Sequence, residues 1–293
     1  MDDNKVVINL ADVMELMLDA VCVVDKFGCF VFVSAGFEHI FGYTPQEVIG
    51  RNMVEFVYPE DTQGTLGTVD TILSGQLQRR FENRWVHKDG KVVNILWSAR
   101  WSEEHQVRIA VAHDITERKE MEASLLYAAG HDDLTKLPNR TLLLDRLQTA
   151  LILAERERTM LSVLFIDIDG FKAVNDDFGH IMGDKLLLGI AKRLKSCIRK
   201  SDTVGRLGGD EFLIVLHNTH KTVNAKTVAD KIRTKLAQPF IIEGAQLEVS
   251  SSIGIASYPE NGTTPLELVQ LADQAMYQAK KSGGDEVIFY LPL

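Results

Sequence analysis

Apolar residues recur along this chain with two different periods, and the switches between them mark out its elements. Over residues 8–20, Leu10, Val13, Met14, Met17 and Leu18 fall at helical spacing and predict a short amphipathic helix. Alternation takes over at 21–25 and 29–34, either side of a Lys26-Phe27-Gly28 turn, and predicts two strands. A compact helical stretch follows over 35–73. Three more alternating runs, 79–87, 92–101 and 107–113, are divided by turns at Lys88-Asp89-Gly90 and at 103–106. On the middle run Ile95, Trp97, Ala99 and Trp101 share one face, which suits sheet core or a dimer contact better than a ligand box. Strand, strand, helices and three strands describe an α+β unit.

Asp114-Ile115-Thr116 then caps a polar helix over 117–129, with Met121, Leu125 and Ala128 along one face, and Gly130 is expected to interrupt it. Such a helix is too short and too polar to bury itself. It is expected to pair with a copy from another chain or to rest on a domain. Beyond it, helix 142–156 leads to strand 161–166, and helix 182–198 leads to a hairpin whose arms are the apolar runs 201–204 and 212–216. Helix 222–237, strands near Ile241 and over 249–256, helix 265–282 and a last strand over 286–290 complete the pattern. Helices interleaved with strands and hairpins predict a central mixed sheet covered by helices. The expected division is a helix over 1–20, an α+β domain over 21–115, a helical linker over 116–132 and a second domain over 133–293.

Composition narrows the chemistry. A chain of 293 residues with 45% hydrophobic and 25% charged residues suits two globular domains. A net charge of −9 excludes a broad nucleic-acid surface, so a nucleotide must be held locally, through a metal and a few lysines. Cys22, Cys29 and Cys197 are scattered without metal-ligand spacing, as small apolar residues in a reducing compartment would be. No apolar run approaches the ~20 residues that cross a bilayer, and no export signal opens the chain, so no membrane partner and a cytoplasmic location are expected.

The sharpest feature is Arg206-Leu207-Gly208-Gly209-Asp210-Glu211-Phe212, a hairpin turn of two glycines followed by two acids. Glycine admits positive φ and leaves no Cβ between backbone and a ligand's phosphates. Adjacent carboxylates are hard oxygen donors of the kind that hold Mg²⁺ on nucleotide phosphates. Gly-Gly-Asp is equally a common solvated turn. The buried strand over 161–166 runs into Asp167-Ile168-Asp169, which would supply a second wall. Asp167, Asp210 and Glu211 could then hold one or two Mg²⁺ and serve nucleotidyl transfer, although a strand-end Asp such as Asp167 also commonly caps the next turn.

Several separated motifs carry a resemblance. They are Asp133-Leu134-Thr135-Lys136-Leu137-Pro138-Asn139-Arg140, Asp167-Ile168-Asp169-Gly170-Phe171-Lys172-Ala173-Val174-Asn175-Asp176, and Phe178-Gly179-His180 with Gly183-Asp184. The series continues through the Gly208-Gly209 hairpin, Ser252-Ile253-Gly254 with Tyr258-Pro259, and Ala272-Asp273 with Tyr277-Gln278-Ala279-Lys280. In this order they resemble a GGDEF domain, the diguanylate cyclase family.

The resemblance implies condensation of two GTP into cyclic di-GMP with release of two pyrophosphates, each of two facing domains presenting one GTP. It implies Mg²⁺, or Mn²⁺, on Asp167, Asp210, Glu211 and the backbone carbonyl of Ile168, with Asp210 and Glu211 as the catalytic acids. Asn175 and Asp184 would read guanine, and Phe171, Lys172, Gly209 and Lys280 would meet the phosphates. Arg199 and Asp202, nine and six residues before Gly208, resemble the family's inhibitory site for cyclic di-GMP, against the plainer reading of a surface charge pair. Family members often carry Gly-Arg-Asn after the lysine; here the run is Gly283-Gly284-Asp285, which implies a raised KM for GTP. A degenerate domain that binds GTP or cyclic di-GMP without turnover is the alternative.

The first α+β domain resembles a PAS sensor, on Phe41-Gly42-Tyr43, Glu47-Val48-Ile49-Gly50, His87-Lys88-Asp89-Gly90 and Asp114-Ile115-Thr116-Glu117-Arg118-Lys119. The reactive-cysteine motif of flavin-binding versions is missing, and the segment 62–73 holds no histidine for haem, so neither cofactor is expected. His39 and His87 read as surface or packing residues. A homodimer through the PAS domain and the linker helix is expected, with dimerisation or a small ligand as the role of the PAS domain.

Overall fold

In the computed structural model, which describes residues 17–218 and 222–291, the chain forms two compact units, Met1–Leu125 and Leu126–Leu293. The helix expected over 8–20 lies mostly outside the described residues. Met17 to Asp19 are irregular and Ala20 already opens a strand, because Ala20 and Cys22 alternate inward onto the core.

The first unit is a five-stranded antiparallel sheet in the order β2-β1-β5-β4-β3. Its strands are β1 (Ala20–Asp25), β2 (Phe30–Val33), β3 (Gln78–Val86), β4 (Val92–Ser102) and β5 (Val107–Asp114). The 35–73 stretch resolves into α1 (Ala35–Phe41), a single turn α2 (Pro45–Val48), two 3-10 turns, and α3 (Thr62–Leu73). The short pieces have local causes. Gly42 ends α1 in the left-handed conformation, and Thr44 with Glu47 forms a capping box ahead of Pro45. The core is aromatic, with Phe30, Phe37, Phe41, Phe56, Trp85 and Trp97 in edge and stacked contacts 4.5–6.4 Å apart. Ile95, Trp97 and Ala99 share the inner face as the alternation predicts, while Trp101 is only half-buried.

Helix α4 (Thr116–Gly130) follows. Asp114 Oδ1 accepts from Thr116 N at 2.8 Å, and Thr116 Oγ1 accepts from Asn94 N, so the helix start is tied to β4. Gly130 is its last residue rather than an interruption. None of its side chains is buried, and Met121, Leu125, Leu126 and Tyr127 are at least half exposed.

The second unit is a mixed five-stranded sheet in the order β12-β11-β6-β8-β7, where only the β11–β12 pair is parallel. Helix α5 (Arg140–Glu157), capped by the Asn139 side chain, leads to β6 (Leu161–Asp169). Helices α6 (Phe171–Phe178) and α7 (His180–Cys197) precede the hairpin of β7 (Thr203–Gly208) and β8 (Glu211–Leu216). Then come α8 (Thr222–Leu236), a small hairpin of β9 (Phe240–Ile242) and β10 (Ala245–Leu247), β11 (Ser250–Tyr258), α9 (Pro265–Lys281) and β12 (Val287–Phe289). The alternation did not predict α6, a single eight-residue piece, nor β10 as a separate strand.

Strand β6 is central and covered on both faces, so it reads as a nearly unbroken apolar run. Leu164, Ile166 and Ile168 point into one core with α6, α7 and α8; Leu161, Val163 and Phe165 point into the other with α5 and α9. On β11, Gly254 packs so closely under α9 that a Cβ there would overlap the Ala272 carbonyl oxygen and the Met276 amide nitrogen. Gly254→Ala is therefore expected to cost about 1–3 kcal/mol in urea unfolding of the full chain. Gly64→Ala, on a helix position with open space around it, is expected to leave stability equal or higher by about 0.5–1 kcal/mol.

Candidate active site

The period-two alternation of β6 sends Asp167 to the same face as Val163 and Phe165, the face that α9 covers. Across the ladder Asp167 stands directly opposite Glu211 on β8, so two carboxylates share one face of neighbouring strands. Asp167 is 5% exposed. Lys280 reaches it from the last turn of α9, with Nζ 2.6 Å from Oδ1. That contact is a close ion pair, and Lys280 is the cation that offsets the buried carboxylate.

The electrostatics record an excess of negative charge. Burial pushes the Asp167 carboxyl above its ordinary value against the pull of Lys280, and Asp210 and Asp169 push it further. Glu211 is raised by burial, then by Asp167, Asp273 and Asp210. Burial alone would lower Lys280, yet the Asp167 carboxylate, with Asp210 and Asp169, reverses this and raises it. Asp167, Asp210 and Asp169 thus all bear on one lysine.

The hairpin turn is shorter than the sequence suggests. Strand β7 runs through Gly208, and only Gly209 and Asp210 form the bend, Gly209 with φ 52° and Gly208 with φ 150°. Arg206 holds it in place: its Nε donates to the Gly209 carbonyl at 2.8 Å, and its Nη1 donates to both oxygens of Asp132 at 3.0 and 3.1 Å. Asp132 also accepts from Thr135 N and Oγ1. Burial opposes its ionisation, but the Thr135 and Arg206 bonds outweigh it and lower its pKa. Neither residue of this clamp was among the predicted site residues.

Asp169 is a structural acid. It accepts from Ser250 Oγ and Ser252 Oγ, both at 2.8 Å, and from Asp285 N at 3.0 Å. It thereby anchors the turn Gly283-Gly284-Asp285. Gly284 has φ 80°, and a Cβ there would come 3.1 Å from the Asp169 carboxylate, which accounts for a glycine at this point. Asp285 pairs with Arg233 at 2.9 Å.

After β6 the chain turns at Gly170, φ 81°, into α6, whose first residues are Phe171, buried in the core, and Lys172, exposed. Backbone N–H groups at such a start suit phosphate oxygens. The Asn175 side chain lies against Gly183, where a Cβ would overlap its Oδ1, and Asp184 is the next residue on α7, exposed. The fold therefore places Asn175 beside the Gly183-Asp184 step.

Arg199 and Asp202 lie apart from these acids, in the turn between α7 and β7. They do not form a charge pair. Asp202 Oδ2 accepts from the Arg199 backbone N at 3.0 Å and Oδ1 from His217 N at 3.2 Å, while the Arg199 side chain is exposed. Both residues line a cavity of ≈ 390 Å³ with His217, Asn224 and Lys231.

Among the described residues, no three acidic, histidine or cysteine side chains close on one point as a ready-made metal cage. The donor set nevertheless fits a hard divalent cation. Its oxygens are carboxylates, one of them buried, and burial and then neighbouring acids oppose their ionisation.

A mixed sheet whose central strand and neighbouring hairpin bring two acids face to face, with a helix starting directly after that strand, defines an α+β domain with an acidic site at one sheet end. Residues 129–286 match the family described as diguanylate cyclase, GGDEF domain, and residues 30–112 match the PAS fold. The chain belongs to the GGDEF diguanylate cyclase family, with a PAS-fold domain ahead of the GGDEF domain. It is 46% identical over 166 residues to the bifunctional diguanylate cyclase/cyclic di-GMP phosphodiesterase MucR of Pseudomonas aeruginosa, which is 57% of this chain and 24% of that protein. It is 31% identical over 258 residues to a diguanylate cyclase of Vibrio cholerae, covering 86% of this chain and 79% of that one. A solved GGDEF domain of TpbB from Pseudomonas aeruginosa superposes with TM-score 0.54 at 42% identity, covering 55% of this chain and 94% of that one. The chain spans only 24% and 37% of the first curated relatives it matches. Among the described residues no helix is long and apolar enough to cross a membrane.

Asp132→Ala would leave Arg206 without its carboxylate and the turn without its anchor. The expected result is a loss of about 1–3 kcal/mol in urea unfolding near neutral pH. Because folding lowers the Asp132 pKa, this contribution is present above the ordinary value of 3.8 and lost as acid protonates the folded carboxylate below it. The difference between the natural chain and the variant should accordingly shrink below that pH.

Proposed function

We propose that this protein is a diguanylate cyclase that condenses two GTP molecules into cyclic di-GMP and two pyrophosphates, working as a dimer of facing GGDEF domains. The observation that carries this reading is the buried Asp167 carboxylate opposite Glu211, with their shared excess of negative charge. Asp167, Asp210, Glu211 and the Ile168 carbonyl would hold Mg²⁺ or Mn²⁺. When bound, such ions lower the pKa of a hydroxyl and offset charge developing on phosphate. The start of α6 and Lys172 orient the phosphates, and Gly209 lets the backbone of the turn come close to them. Asn175 and Asp184 accept from the N–H donors of guanine that adenine lacks, which rejects the wrong base. Asp210 takes the proton from the 3′-hydroxyl of the GTP on the facing domain as that oxygen bonds to the α-phosphorus and pyrophosphate leaves.

Lys280 supplies charge from α9, and in the absence of nucleotide it offsets Asp167. Gly284 stands where relatives often have arginine, so phosphate grip is weaker and the KM for GTP is raised. The exposed apolar side chains of α4 support pairing with the same helix of a second chain. The PAS domain would then govern how often two sites meet. The division into a PAS domain over 21–115, a linker over 116–132 and a GGDEF domain over 133–293 is part of the same proposal. The cavity at Arg199 and Asp202 would take cyclic di-GMP as a feedback inhibitor, Arg199 clasping phosphate or a guanine edge.

Purified protein with GTP and Mg²⁺ is expected to yield cyclic di-GMP and two equivalents of pyrophosphate, with turnover per chain falling on dilution. Asp210→Ala should lower kcat by about 10²-fold or more. Binding of GTP with no product from the natural chain would instead identify a non-catalytic module. Arg199→Ala is expected to keep the initial rate and abolish the slowing that accumulated product causes. Unchanged slowing would remove the feedback role of the Arg199 cavity.

A further inference from the structure

Among the described residues of the PAS-fold unit, one buried cation has no anion beside it. Arg108 is on the inner face of β5, in line with Ala110 and Ala112, and opposite Val24 on β1 and Trp101 on β4. It is 5% exposed. Its guanidinium has five donors, and among the described residues its hydrogen-bond partner is the thioether of Met53, a weak acceptor. Among the described residues no carboxylate pairs with it. Cys22 is a titratable group that its charge acts on, but burial pushes that thiol up to about 12, so it stays neutral. A buried arginine remains charged, and leaving it unpaired is costly.

Arg108 opens onto a cavity of ≈ 40 Å³ between the sheet and α3, larger than the ~10–15 Å³ that one water needs. The remaining walls are mostly apolar, with Phe30, Ile72, Trp85 and Trp97 prominent, and Thr65, Thr68, Gln78 and Asn83 among the polar ones. The polar groups there are already committed. Asn83 Oδ1 accepts from both Trp85 Nε1 and Trp97 Nε1, and Asn83 Nδ2 donates to Thr65 Oγ1, which donates to the Asp61 carbonyl. Arg108 is the charged lining group that no carboxylate among the described residues partners.

We propose that this cavity is a binding site for a short-chain monocarboxylate, its carboxylate bridged by the Arg108 guanidinium and its hydrocarbon tail against the tryptophans. A planar fork of donors fits a carboxylate in bidentate fashion, and the small apolar space beyond it admits only a few carbons. This assigns the PAS-fold unit a chemical class of ligand and stands independently of catalysis in the GGDEF domain.

The test uses the full chain with butyrate, and with butyramide as its neutral counterpart of the same shape. Saturation-transfer NMR and tryptophan emission should report butyrate binding, since two tryptophans line the site. Butyramide is expected to bind at least about 10-fold more weakly. Arg108→Met, which keeps the volume and removes the charge, should weaken butyrate by about 30-fold or more and leave butyramide unchanged. Equal affinity for the two probes, no butyrate binding at tens of millimolar, or an unaltered butyrate affinity in Arg108→Met would each overturn the proposal. Should that variant fail to fold, the comparison of the two probes on the natural chain decides the matter.

Discussion

The C-terminal unit is organised around a repulsion: Asp167 and Glu211 face each other on adjacent strands, and burial opposes the ionisation of both. Like charges directly opposite on a ladder weaken it, so such a pair persists only where the surrounding structure over-determines it. Here the ladder runs on through Phe165 opposite Leu213 and Val163 opposite Val215, all buried between two layers of helices. Apolar burial along β6 and β8 holds the acids in register. Lys280 relieves part of the repulsion from α9, itself fixed by the close approach of Gly254 to the Ala272 carbonyl. The acid pair, the packing beneath it and the lysine above it form one unit.

Around that pair the remaining acids divide into two kinds. Asp169 and Asp132 are saturated, one by two serines and a backbone N–H, the other by Thr135 and Arg206. They fix loops: the turn after α9 and the hairpin bend. Asp167 is paired with Lys280 and lies with Glu211 and Asp210 where negative charge predominates. The loop-holding acids thus have their acceptors filled by fixed donors, whereas Asp167 and Glu211 stand in an excess of negative charge that a hard cation would offset.

Much of this was legible in the chain. The continuous apolar run of β6 ending in acids, the glycine pair and the alternation of the first five strands are local patterns, and each strand appears within a few residues of its expected place. The short α6 escaped because eight residues carry barely two helical turns of periodicity. The Arg206–Asp132 clamp escaped because its partners are 74 residues apart, and no period links them. The Arg199–Asp202 spacing was legible, but the bond there runs through backbone and leaves the guanidinium outward. Arg108 had a signal that went unused: Ala110 and Ala112, two and four residues on, mark its face as the inner one.

Arg108 and Asp167 are instances of one physical situation in separate units. Each is a charged group on the inner face of a sheet, buried to 5% exposure. Burial costs such a charge most of its hydration, and folding alone gives no reason to retain it when an apolar residue of equal volume would fill the space. Where the charge serves packing, the fold provides a partner, as Arg206 does for Asp132. Where the compensation falls short, a group from outside the chain would complete the pair. On that argument the two under-compensated charges are where the proposed ligands would bind: a hard cation with nucleotide at one, a small anion at the other.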